Sequence, residues 1–251
     1  MSTVVIIPAR LHSARLPRKV LLDIAGKPMI QHVYEAAVQA AGIDAVYIAA
    51  DSEEIRGACT RFTSNIILTS SRHPSGTDRL AEAVTSVSCD AVINVQGDEP
   101  LIDPRLITDI ANALAQEEVQ MCSAMHRIND TADLSSPHAV KVVTDTQGSA
   151  LYFSRAAIPY GEADSDTSPR FRHIGIYGYT KAFLQQFAAM PPSPLEQRER
   201  LEQLRVLEHG YRIQMIETAY EPIGVDTIQD LERVRNIMAE TIHKEKTDKR
   251  K

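Results

Sequence analysis

A short apolar run near the first residue leads into a loop that is rich in positive charge. The run is Val4–Ile7, and its continuous apolar character predicts a buried parallel strand. The loop that follows carries four cations and no acid, namely Arg10, Arg15, Arg18 and Lys19. Because ligands of α/β proteins bind beyond the carboxyl ends of the parallel strands, the loop lies where such a protein receives phosphate. The sequence therefore predicts an α/β fold with an anion site at its first loop.

Side chains, rather than backbone N–H groups, are expected to bind the anion. The loop contains no glycine, and the phosphate-binding motifs GxGxxG and GxxxxGK[ST] are both absent. Three or four cations that converge on one point repel each other unless an anion joins them. The pattern favours a triphosphate held by arginine and lysine, and the alternative is a solvated loop whose charges point apart.

The first half of the chain alternates between strand and helix patterns. The predicted strands are Val4–Ile7, Ala45–Ala49, Asn65–Leu68 and Ala91–Val95, and the predicted helices are Met29–Ala40, Glu53–Phe62, Thr77–Ser86 and Pro104–Glu117. Such alternation predicts a mostly parallel, Rossmann-like sheet with helices on both faces.

The pattern becomes richer in strands after residue 120. The predicted strands are Val140–Thr144, Ala150–Ser154, Ile174–Tyr179 and Ile213–Glu217, with helices at Leu195–Glu208 and Thr227–Glu240, a hairpin turn at Asp145–Gly148 and a mobile acidic loop at Gly161–Pro169. We expect a core of residues 1–125 and 211–242, and a smaller β-rich insertion of residues 126–210 that returns to the same sheet. The basic tail, residues 243–251, is expected to be disordered.

Composition excludes several classes of protein. The net charge of −6 argues against a nucleic-acid-binding surface, and no apolar run approaches the roughly 20 residues that span a bilayer. The first residues lack the charged and apolar regions of a signal peptide. Cys59, Cys89 and Cys122 are scattered and odd in number, which favours reduced thiols. We expect a cytoplasmic protein.

Two aspartates are candidates for metal ligands. Asp98 follows the fourth predicted strand, so it opens onto the same edge of the sheet as the basic loop. Asp226 precedes the last helix. Mg²⁺ prefers one or two carboxylates together with phosphate oxygens and water. The alternatives are a turn role for Asp98 and a helix-capping role for Asp226.

Two further segments carry polar side chains in positions that suit a substrate. Ser75 and Gly76 precede a predicted helix and offer donors to an anion or to the edge of a base, unless they only cap the helix. The segment Arg172–Tyr179 combines a basic pair with alternating tyrosines on a strand that contains glycine. That combination suits a polar substrate that carries a carboxylate.

Nine short segments, spread from about Val4 to Arg235, form a highly specific combination. They are Ile7–Arg10, Arg15–Pro17, Gly26–Met29, Ser75–Thr77, Asn94–Pro100, Ala150–Arg155, Arg172–Tyr177, Leu201–Arg205 and Val225–Thr227. Together they resemble the CMP-Kdo synthetases, the 3-deoxy-manno-octulosonate cytidylyltransferases of lipopolysaccharide synthesis. One departure is clear, because the family usually has Gly at the position of Arg18 and Pro at the position of Val20. The loop is therefore bulkier and more basic here.

The resemblance implies that CTP and 3-deoxy-D-manno-octulosonate (Kdo) give CMP-Kdo and pyrophosphate with Mg²⁺ as the cofactor. It implies catalytic roles for Lys19, Arg10, Arg15 and Asp98, and metal ligation by Asp98 and Asp226. It implies nucleotide contacts from Pro8, Ala9, Arg10, Lys19, Ser75, Gly76 and Gln96, and sugar contacts from Arg155, His173, Tyr177, Glu202 and Gln203. It also implies a homodimer, formed through the insertion that binds the sugar, with no nucleic-acid or membrane partner.

Three alternative functions stay open at this point. A sister enzyme could use 8-amino-Kdo or another sugar acid with the same phosphate machinery. A nicotinamide dehydrogenase could hold a ribose on Asp51, although the glycine fingerprint is missing. A catalytically dead nucleotide-binding regulator is disfavoured by the presence of Lys19, Asp98 and Asp226 together.

Overall fold

The computed structural model describes residues 1–13, 15–161 and 169–248. Residues 162–168 of the predicted acidic loop and residues 249–251 of the predicted tail lie outside this part. No helix among the described residues is both long and apolar enough to cross a membrane.

The strands of the described residues follow one another along the whole chain. In chain order they are β1 (Thr3–Ala9), β2 (Asp23–Ile24), β3 (Lys27–Pro28), β4 (Ala45–Ala50), β5 (Ile66–Leu68), β6 (Ala91–Asn94), β7 (Met121–Arg127), β8 (Lys141–Thr144), β9 (Ala150–Ser154), β10 (Phe171–Thr180) and β11 (Gln214–Thr218).

The helices alternate with these strands. They are α1 (Met29–Val38), α2 (Glu53–Cys59), α3 (Gly76–Thr85), α4 (Pro104–Leu114), α5 (Thr131–Ser135), α6 (Lys181–Ala189), α7 (Pro194–Glu199), α8 (Leu204–Glu208) and α9 (Ile228–Asp248). A single 3₁₀ turn at Lys19–Leu21 precedes β2 within the described residues. The predicted α/β class with a mostly parallel sheet is confirmed.

The chain divides into two compact units. The first unit comprises Val4–Ser88, Asn94–Arg105 and the chain from Pro222 onward, and the second comprises Met1–Thr3, Cys89–Ile93 and Leu106–Glu221. This division differs from the predicted boundaries. Residues 106–125 and 211–221, which were expected in the core, belong to the same unit as the expected insertion 126–210.

The first unit is built on the parallel strands β1, β4 and β5. Val4 is the register partner of Ala45 in β4, and Ile48 of β4 is the partner of Ile66 in β5. The residues of β1 are almost completely buried, as their continuous apolar run predicts. The carboxyl end of β1 therefore fixes the start of the basic loop.

A small apolar cluster attaches helix α9 to the first unit. Ile24, Met29, Val225, Leu231 and Val234 are all buried in it. Their burial removes apolar surface from water, which stabilises the unit at roughly 25 cal/mol per Å². The cluster fixes the position of Asp226, which directly follows the buried Val225.

Strand β7 organises the second unit, and the sequence pattern did not predict it. It pairs in antiparallel fashion with β10 and in parallel fashion with β11. Its residues Met121–Arg127 include no β-branched or aromatic side chain, so its propensity signal is weak although its first five residues are buried. The short helix α5 and the helix α6 were also not predicted.

Strands β8 and β9 form the predicted hairpin. They are antiparallel, and the N–H of Gly148 donates to the carbonyl of Asp145 at 3.1 Å. Gly148 has a φ of +80°, and the Asp145 carboxylate accepts from the N–H groups of Gln147 and Ser149. The predicted hairpin is therefore confirmed, and the structure adds that Gly148 is the residue that adopts the left-handed conformation.

Two predicted elements have to be corrected. The predicted helix Leu195–Glu208 is two helices, α7 and α8, because Arg200 adopts a left-handed φ of 56° and Leu201 turns into the buried interior. The predicted disordered tail begins too early, because α9 continues as a helix to Asp248.

Candidate active site

The basic loop is closed by hydrogen bonds at its base. The N–H of Arg18 donates to the carbonyl of Leu11 at 3.1 Å, and the N–H of Leu11 donates to Asp51 Oδ1 at 3.0 Å. Asp51 also lies 3.7 Å from the buried Arg79 guanidinium. Since the Asp51 carboxylate is buried among these groups, it holds the loop and does not face a ribose as the dehydrogenase alternative requires.

Lys19 joins the two candidate metal carboxylates. Its Nζ donates to Asp98 Oδ2 at 2.5 Å and to Asp226 Oδ1 at 3.0 Å. Arg15 Nη2 lies 3.0 Å from the same Asp226 oxygen. The Lys19 side chain is only 11% exposed, whereas that of Arg15 is 61% exposed. Two carboxylates therefore share one shielded ammonium group, with an exposed guanidinium on the outer side.

Backbone contacts bring the two aspartates together from distant parts of the chain. The N–H of Val225 donates to the carbonyl of Asp98 at 2.9 Å. The N–H of Val95 donates to Ile6 of β1 at 3.4 Å, which places the segment that carries Asp98 beside the first strand. Both aspartates are thereby fixed near the carboxyl end of β1, as the order of the elements predicts for Asp98.

The carboxylate of Asp226 does not cap helix α9. The carboxylate of Asp230 accepts from the N–H groups of Asp226 and Thr227 at 3.1 and 2.8 Å, and Thr227 Oγ1 in turn accepts from the N–H of Asp230 at 3.2 Å. This reciprocal arrangement satisfies the start of α9. The Asp226 carboxylate is consequently available to Lys19 and Arg15.

The charge state of Lys19 follows from its surroundings. Burial lowers the pKa of the ammonium, but the neighbouring Asp98 and Asp226 carboxylates more than offset burial and raise the pKa above its ordinary value. Lys19 is therefore positively charged throughout the neutral range.

A pocket of about 160 Å³ lies beside this ion-pair cluster in the first unit. It is lined by seven of the residues named from the sequence, which are Pro8, Arg10, Lys19, Ser75, Gly76, Gln96 and Asp98. Gly97 allows a close approach of two backbone segments there, because a Cβ on it would lie 3.1 Å from the backbone oxygen of Pro8, which is an unusually short contact. Ala9 does not line the pocket, since it is buried at the end of β1.

Ser75 caps a helix and also lines the pocket, so its capping role is confirmed and its contact with a substrate stays a prediction. It caps α3, since its Oγ accepts from the N–H of Asp78 at 3.1 Å and donates to the Asp78 carboxylate at 2.7 Å. With Gly76, it also lines the pocket. The first turn of α3 thus presents a fixed polar edge to whatever the pocket binds.

Six lining residues were not among the site residues predicted from the sequence, and three of the six have polar side chains. Ser13, His73 and Arg79 also face the pocket. Arg79 is 4% exposed and donates to Thr69 Oγ1 at 2.7 Å. An arginine on a predicted helix is normally assigned to the solvated face, so only the nearby Asp51 could have indicated that this one is buried.

Arg18 contributes to a different surface from Lys19. It adopts a left-handed φ of 58°, and its guanidinium pairs with Glu54. This conformation explains why the resembling family usually has glycine here, because only glycine adopts it without steric cost. Val20 lines the pocket directly after the lysine.

In the second unit, the predicted sugar residues His173 and Tyr177 lie in a row of rings. His173 packs edge-on against Phe153 with centroids 5.0 Å apart, and it lies 5.4 Å from Tyr177. Its Nε2 lies 2.9 Å from Ser123 Oγ, and burial lowers its pKa to about 3, so the ring is neutral. Burial also raises the pKa of Tyr177, and the nearby Glu202 carboxylate raises it further.

Arg155 and Gln203 lie near the break between α7 and α8. The Arg155 guanidinium donates to the carbonyl oxygens of Glu199 and Pro137 at 2.8 and 2.9 Å. Gln203 is 4% exposed, and its Nε2 has no hydrogen-bond partner among the described residues. A buried amide without a partner is costly, which is consistent with a ligand that binds here.

Among the described residues no group of three or more His, Cys, Asp or Glu side chains could hold a metal ion. The cluster offers only the two carboxylates of Asp98 and Asp226. This donor set still fits Mg²⁺, which takes one or two carboxylates and completes its shell with phosphate oxygens and water. It does not fit a metal held by the protein alone.

A parallel sheet whose first strand leads to a cationic loop, two carboxylates and a pocket defines a nucleotide-binding enzyme of the nucleotidyltransferase class. The cytidylyltransferase family model matches residues 4–214. The chain belongs to this family. Within the family it is a member of the 3-deoxy-manno-octulosonate cytidylyltransferases, as its similarity to curated relatives shows.

Relatives of that description cover nearly the whole chain. A 3-deoxy-manno-octulosonate cytidylyltransferase of Solibacter usitatus is 46% identical over 238 residues, which is 94% of each chain. One from Histophilus somni is 46% identical over 95% of this chain and 99% of its own. A solved CMP:2-keto-3-deoxy-manno-octonic acid synthetase complexed with CTP has a TM-score of 0.92 at 43% identity, covering 96% of this chain and 100% of its own.

A more distant structure shows the fold alone. The 4-diphosphocytidyl-2C-methyl-D-erythritol synthase of Anaerococcus prevotii has a TM-score of 0.64 at 12% identity, covering 95% of this chain and 96% of its own. A shared fold by itself does not define the substrate, so this likeness adds nothing on the second substrate.

Proposed function

We propose that this protein transfers the cytidylyl group of CTP to Kdo, giving CMP-Kdo and pyrophosphate. The observation that carries the proposal is the ion-pair cluster, in which Lys19 bridges Asp98 and Asp226 at the edge of a pocket. Relatives about 46% identical are described as enzymes of this activity, and the 43% identical structure holds CTP.

The proposed reaction is an in-line displacement at the α-phosphorus of CTP. The anomeric hydroxyl of Kdo gives up its proton to solvent and forms the new oxygen–phosphorus bond. The bond to the β-phosphate breaks on the opposite side, and pyrophosphate leaves. Such a reaction depends mainly on positioning and on charge stabilisation. The protein therefore needs cations near the phosphates, and Arg10 and Lys19 line the pocket in which we place them.

Each cation has a distinct role in this proposal. Lys19 neutralises charge that develops on the phosphates, because its ammonium is the most shielded cation of the loop. Arg10 binds the phosphates from the opening of the pocket. Arg15 acts from outside the pocket, where it holds the Asp226 carboxylate in position.

Asp98 and Asp226 would hold Mg²⁺. When bound, Mg²⁺ neutralises phosphate charge and lowers the pKa of the attacking hydroxyl. The hydrogen bond from the N–H of Val225 to the carbonyl of Asp98 holds the two segments together, so both carboxylates would be in place for the ion.

The base of the nucleotide would lie against Ser75, Gly76 and Gln96. Ser75 is held by its hydrogen bonds to Asp78, so its position is fixed before the nucleotide binds. Polar groups that are fixed in this way favour the base whose own donors and acceptors match them.

The sugar acid would be bound by residues of the second unit. The neutral His173, Tyr177 and the unpartnered amide of Gln203 can bind hydroxyl groups, and Glu202 can accept from them. Arg155 is the cation of this set and the natural partner of the sugar carboxylate. With this activity the enzyme would act in the cytoplasm, as a homodimer, in lipopolysaccharide synthesis.

A coupled assay of pyrophosphate release tests the proposal. The purified protein should release pyrophosphate from CTP only when Kdo and Mg²⁺ are both present. No release with Kdo under any metal condition would contradict the proposed activity. If 8-amino-Kdo or a related sugar acid proved the better substrate by kcat/KM, the cytidylyltransferase class would stand and the sugar would change.

A further inference from the structure

We propose that Lys19 is a stand-in cation: in the free protein its ammonium occupies the place of the divalent cation between Asp98 and Asp226. The free protein then binds the cation weakly, and the cation enters together with the nucleotide. This inference rests on the proposed function, since it concerns the same two carboxylates.

The first step is that the Lys19 ammonium lies between the two carboxylates. The ammonium contacts Asp98 Oδ2 at 2.5 Å and Asp226 Oδ1 at 3.0 Å, so both carboxylates already share one positive group. Mg²⁺ needs carboxylate oxygens at about 2.0–2.1 Å. An ion that bridged the same two oxygens would lie within a few ångströms of the ammonium nitrogen, and two like charges so close repel strongly.

The second step is that the carboxylates do not depend on Lys19 for their proximity. The N–H of Val225 donates to the carbonyl of Asp98, and Val225 is fully buried in the apolar cluster that holds α9. Without Lys19 the two carboxylates would remain near each other, with only the exposed Arg15 on Asp226. Such a pair of negative charges attracts a divalent cation more strongly than the native cluster does.

The third step concerns where the ammonium goes. Lys19 already lines the pocket, and its flexible four-carbon stem allows the ammonium to reposition there. An incoming triphosphate offers new anionic partners at the moment when the carboxylates are taken by the ion. The charge of the cluster thus stays balanced at each stage, and Lys19 reaches the phosphates only when the ion and the nucleotide are both bound.

Binding of Mn²⁺ to the protein alone tests the inference without any turnover. Titrations followed by electron paramagnetic resonance would compare the native protein with Lys19→Met, Lys19→Arg, Arg15→Met and Arg18→Met. Lys19→Met should bind Mn²⁺ about tenfold more tightly or better, because it removes the competing charge. Arg15→Met should show a smaller gain, since Arg15 contacts one carboxylate and is exposed.

Two variants serve as matched controls. Arg18→Met removes the same charge from the same loop, but its partner is Glu54, so Mn²⁺ affinity should change by less than about twofold. Lys19→Arg keeps the charge and should keep the weak binding. The gain of Lys19→Met should disappear in the double variant with Asp98→Asn, which removes one ligand.

The direction of the effect separates this role from damage to the fold, because damage would weaken Mn²⁺ binding. An unchanged or weaker Mn²⁺ affinity in Lys19→Met, with a native circular dichroism spectrum, would overturn the inference. Failure of the proposed function looks different. Native protein that released no pyrophosphate with any sugar acid, while Lys19→Met still bound Mn²⁺ more tightly, would overturn the proposed function alone.

Discussion

Arg18 and Lys19 are neighbours on one loop, yet their side chains bind separate sets of acids. Arg18 pairs with Glu54 and is 64% exposed, whereas Lys19 contacts Asp98 and Asp226 and is 11% exposed. Arg18 adopts a left-handed backbone conformation at the point where the two side chains turn toward different acids. The two residues carry the same charge, so charge alone does not predict which one matters more for catalysis. Their different partners do predict it.

Lys19→Ala should therefore damage catalysis far more than Arg18→Ala. Loss of Lys19 removes a contact that strengthens in the transition state, so kcat and kcat/KM should both fall, by about 10²-fold or more. Loss of Arg18 removes a screened surface charge and should change kcat by less than about threefold. Steady-state kinetics at low and moderate salt provide the measurement. If Arg18→Ala were the more damaging at both salt concentrations, the phosphate assignments would have to be redrawn.

Asp98→Asn should abolish turnover without loss of the fold. The amide keeps the shape of the carboxylate but removes the charge that binds both Lys19 and Mg²⁺, so we expect a loss of about 10²-fold or more in kcat. Asp103→Asn is the matched control, because Asp103 lies five residues further on and its carboxylate pairs with Arg105 at 2.7 Å. Near-normal activity of Asp98→Asn at saturating Mg²⁺ would remove Asp98 from the metal site.

CTP should be strongly preferred over ATP and GTP. Ser75 lines the pocket and is fixed at its edge by two hydrogen bonds to Asp78. A site with fixed polar groups rejects a base that cannot satisfy them, by a factor of about 10² or more. The measurement is pyrophosphate release with each nucleotide at equal concentration and saturating Kdo. Comparable release with ATP would show that the base lies elsewhere.

Much of this fold could be predicted because its local signals agree with its tertiary contacts. The apolar run of β1 is buried, and the turn at Gly148 has the left-handed φ that the Asp-Thr-Gln-Gly pattern requires. Strand β7 was missed since Met, Cys, Ser and Ala carry little strand propensity, and its identity comes from the two strands that flank it. The break at Arg200 was missed because charged residues suit a helix and do not reveal a left-handed turn.

In the candidate site, too, the residues with a local sequence signal could be predicted and those that depend on distant partners could not. Asp98 could be placed from the sequence, because the end of a buried strand defines an edge of the sheet. Arg79 could not be found, since its burial depends on Asp51, a partner that comes from another element. The sequence also left open whether Asp226 caps a helix, and only the position of Asp230 decides this.

The stability of the protein should depend on pH through His173. Burial lowers its pKa to about 3, whereas the unfolded chain has an ordinary value near 6.5, so the unfolded state binds more protons between these values. The free energy of unfolding should therefore fall as the pH drops below about 6.5, by up to about 2 kcal/mol between pH 7 and pH 5. Urea unfolding of the native protein and of His173→Gln at both pH values measures the difference.

The glutamine variant should lose this part of the pH dependence, because its side chain does not titrate. His138→Gln is the control, since it makes the same substitution at an exposed histidine, and it should keep the native dependence. A native and a His173→Gln protein with equal slopes of stability against pH would show that His173 is not buried in neutral form.

Lys141→Met should destabilise the protein more than its similar volume suggests. Lys141 is fully buried, and its Nζ donates to the carbonyl oxygens of Ser136, Ala139 and Arg155 at 2.8, 2.6 and 2.6 Å. Methionine fills the space but leaves three carbonyl groups without their donor. At about 1 kcal/mol or more for each, the loss should reach about 3 kcal/mol in the free energy of unfolding.

The same substitution at Lys27 provides the comparison. Lys27 pairs with Glu35 at 2.7 Å on the surface and is 43% exposed, so Lys27→Met should cost less than about 1 kcal/mol. Because one acceptor of Lys141 is the carbonyl of Arg155, the loss should also reach the proposed sugar residues. We expect Lys141→Met to raise KM for Kdo while KM for CTP stays within about twofold, because the nucleotide pocket contains none of these contacts. Equal stability of the two variants, or equal changes in both KM values, would show that Lys141 does not hold Arg155 in place.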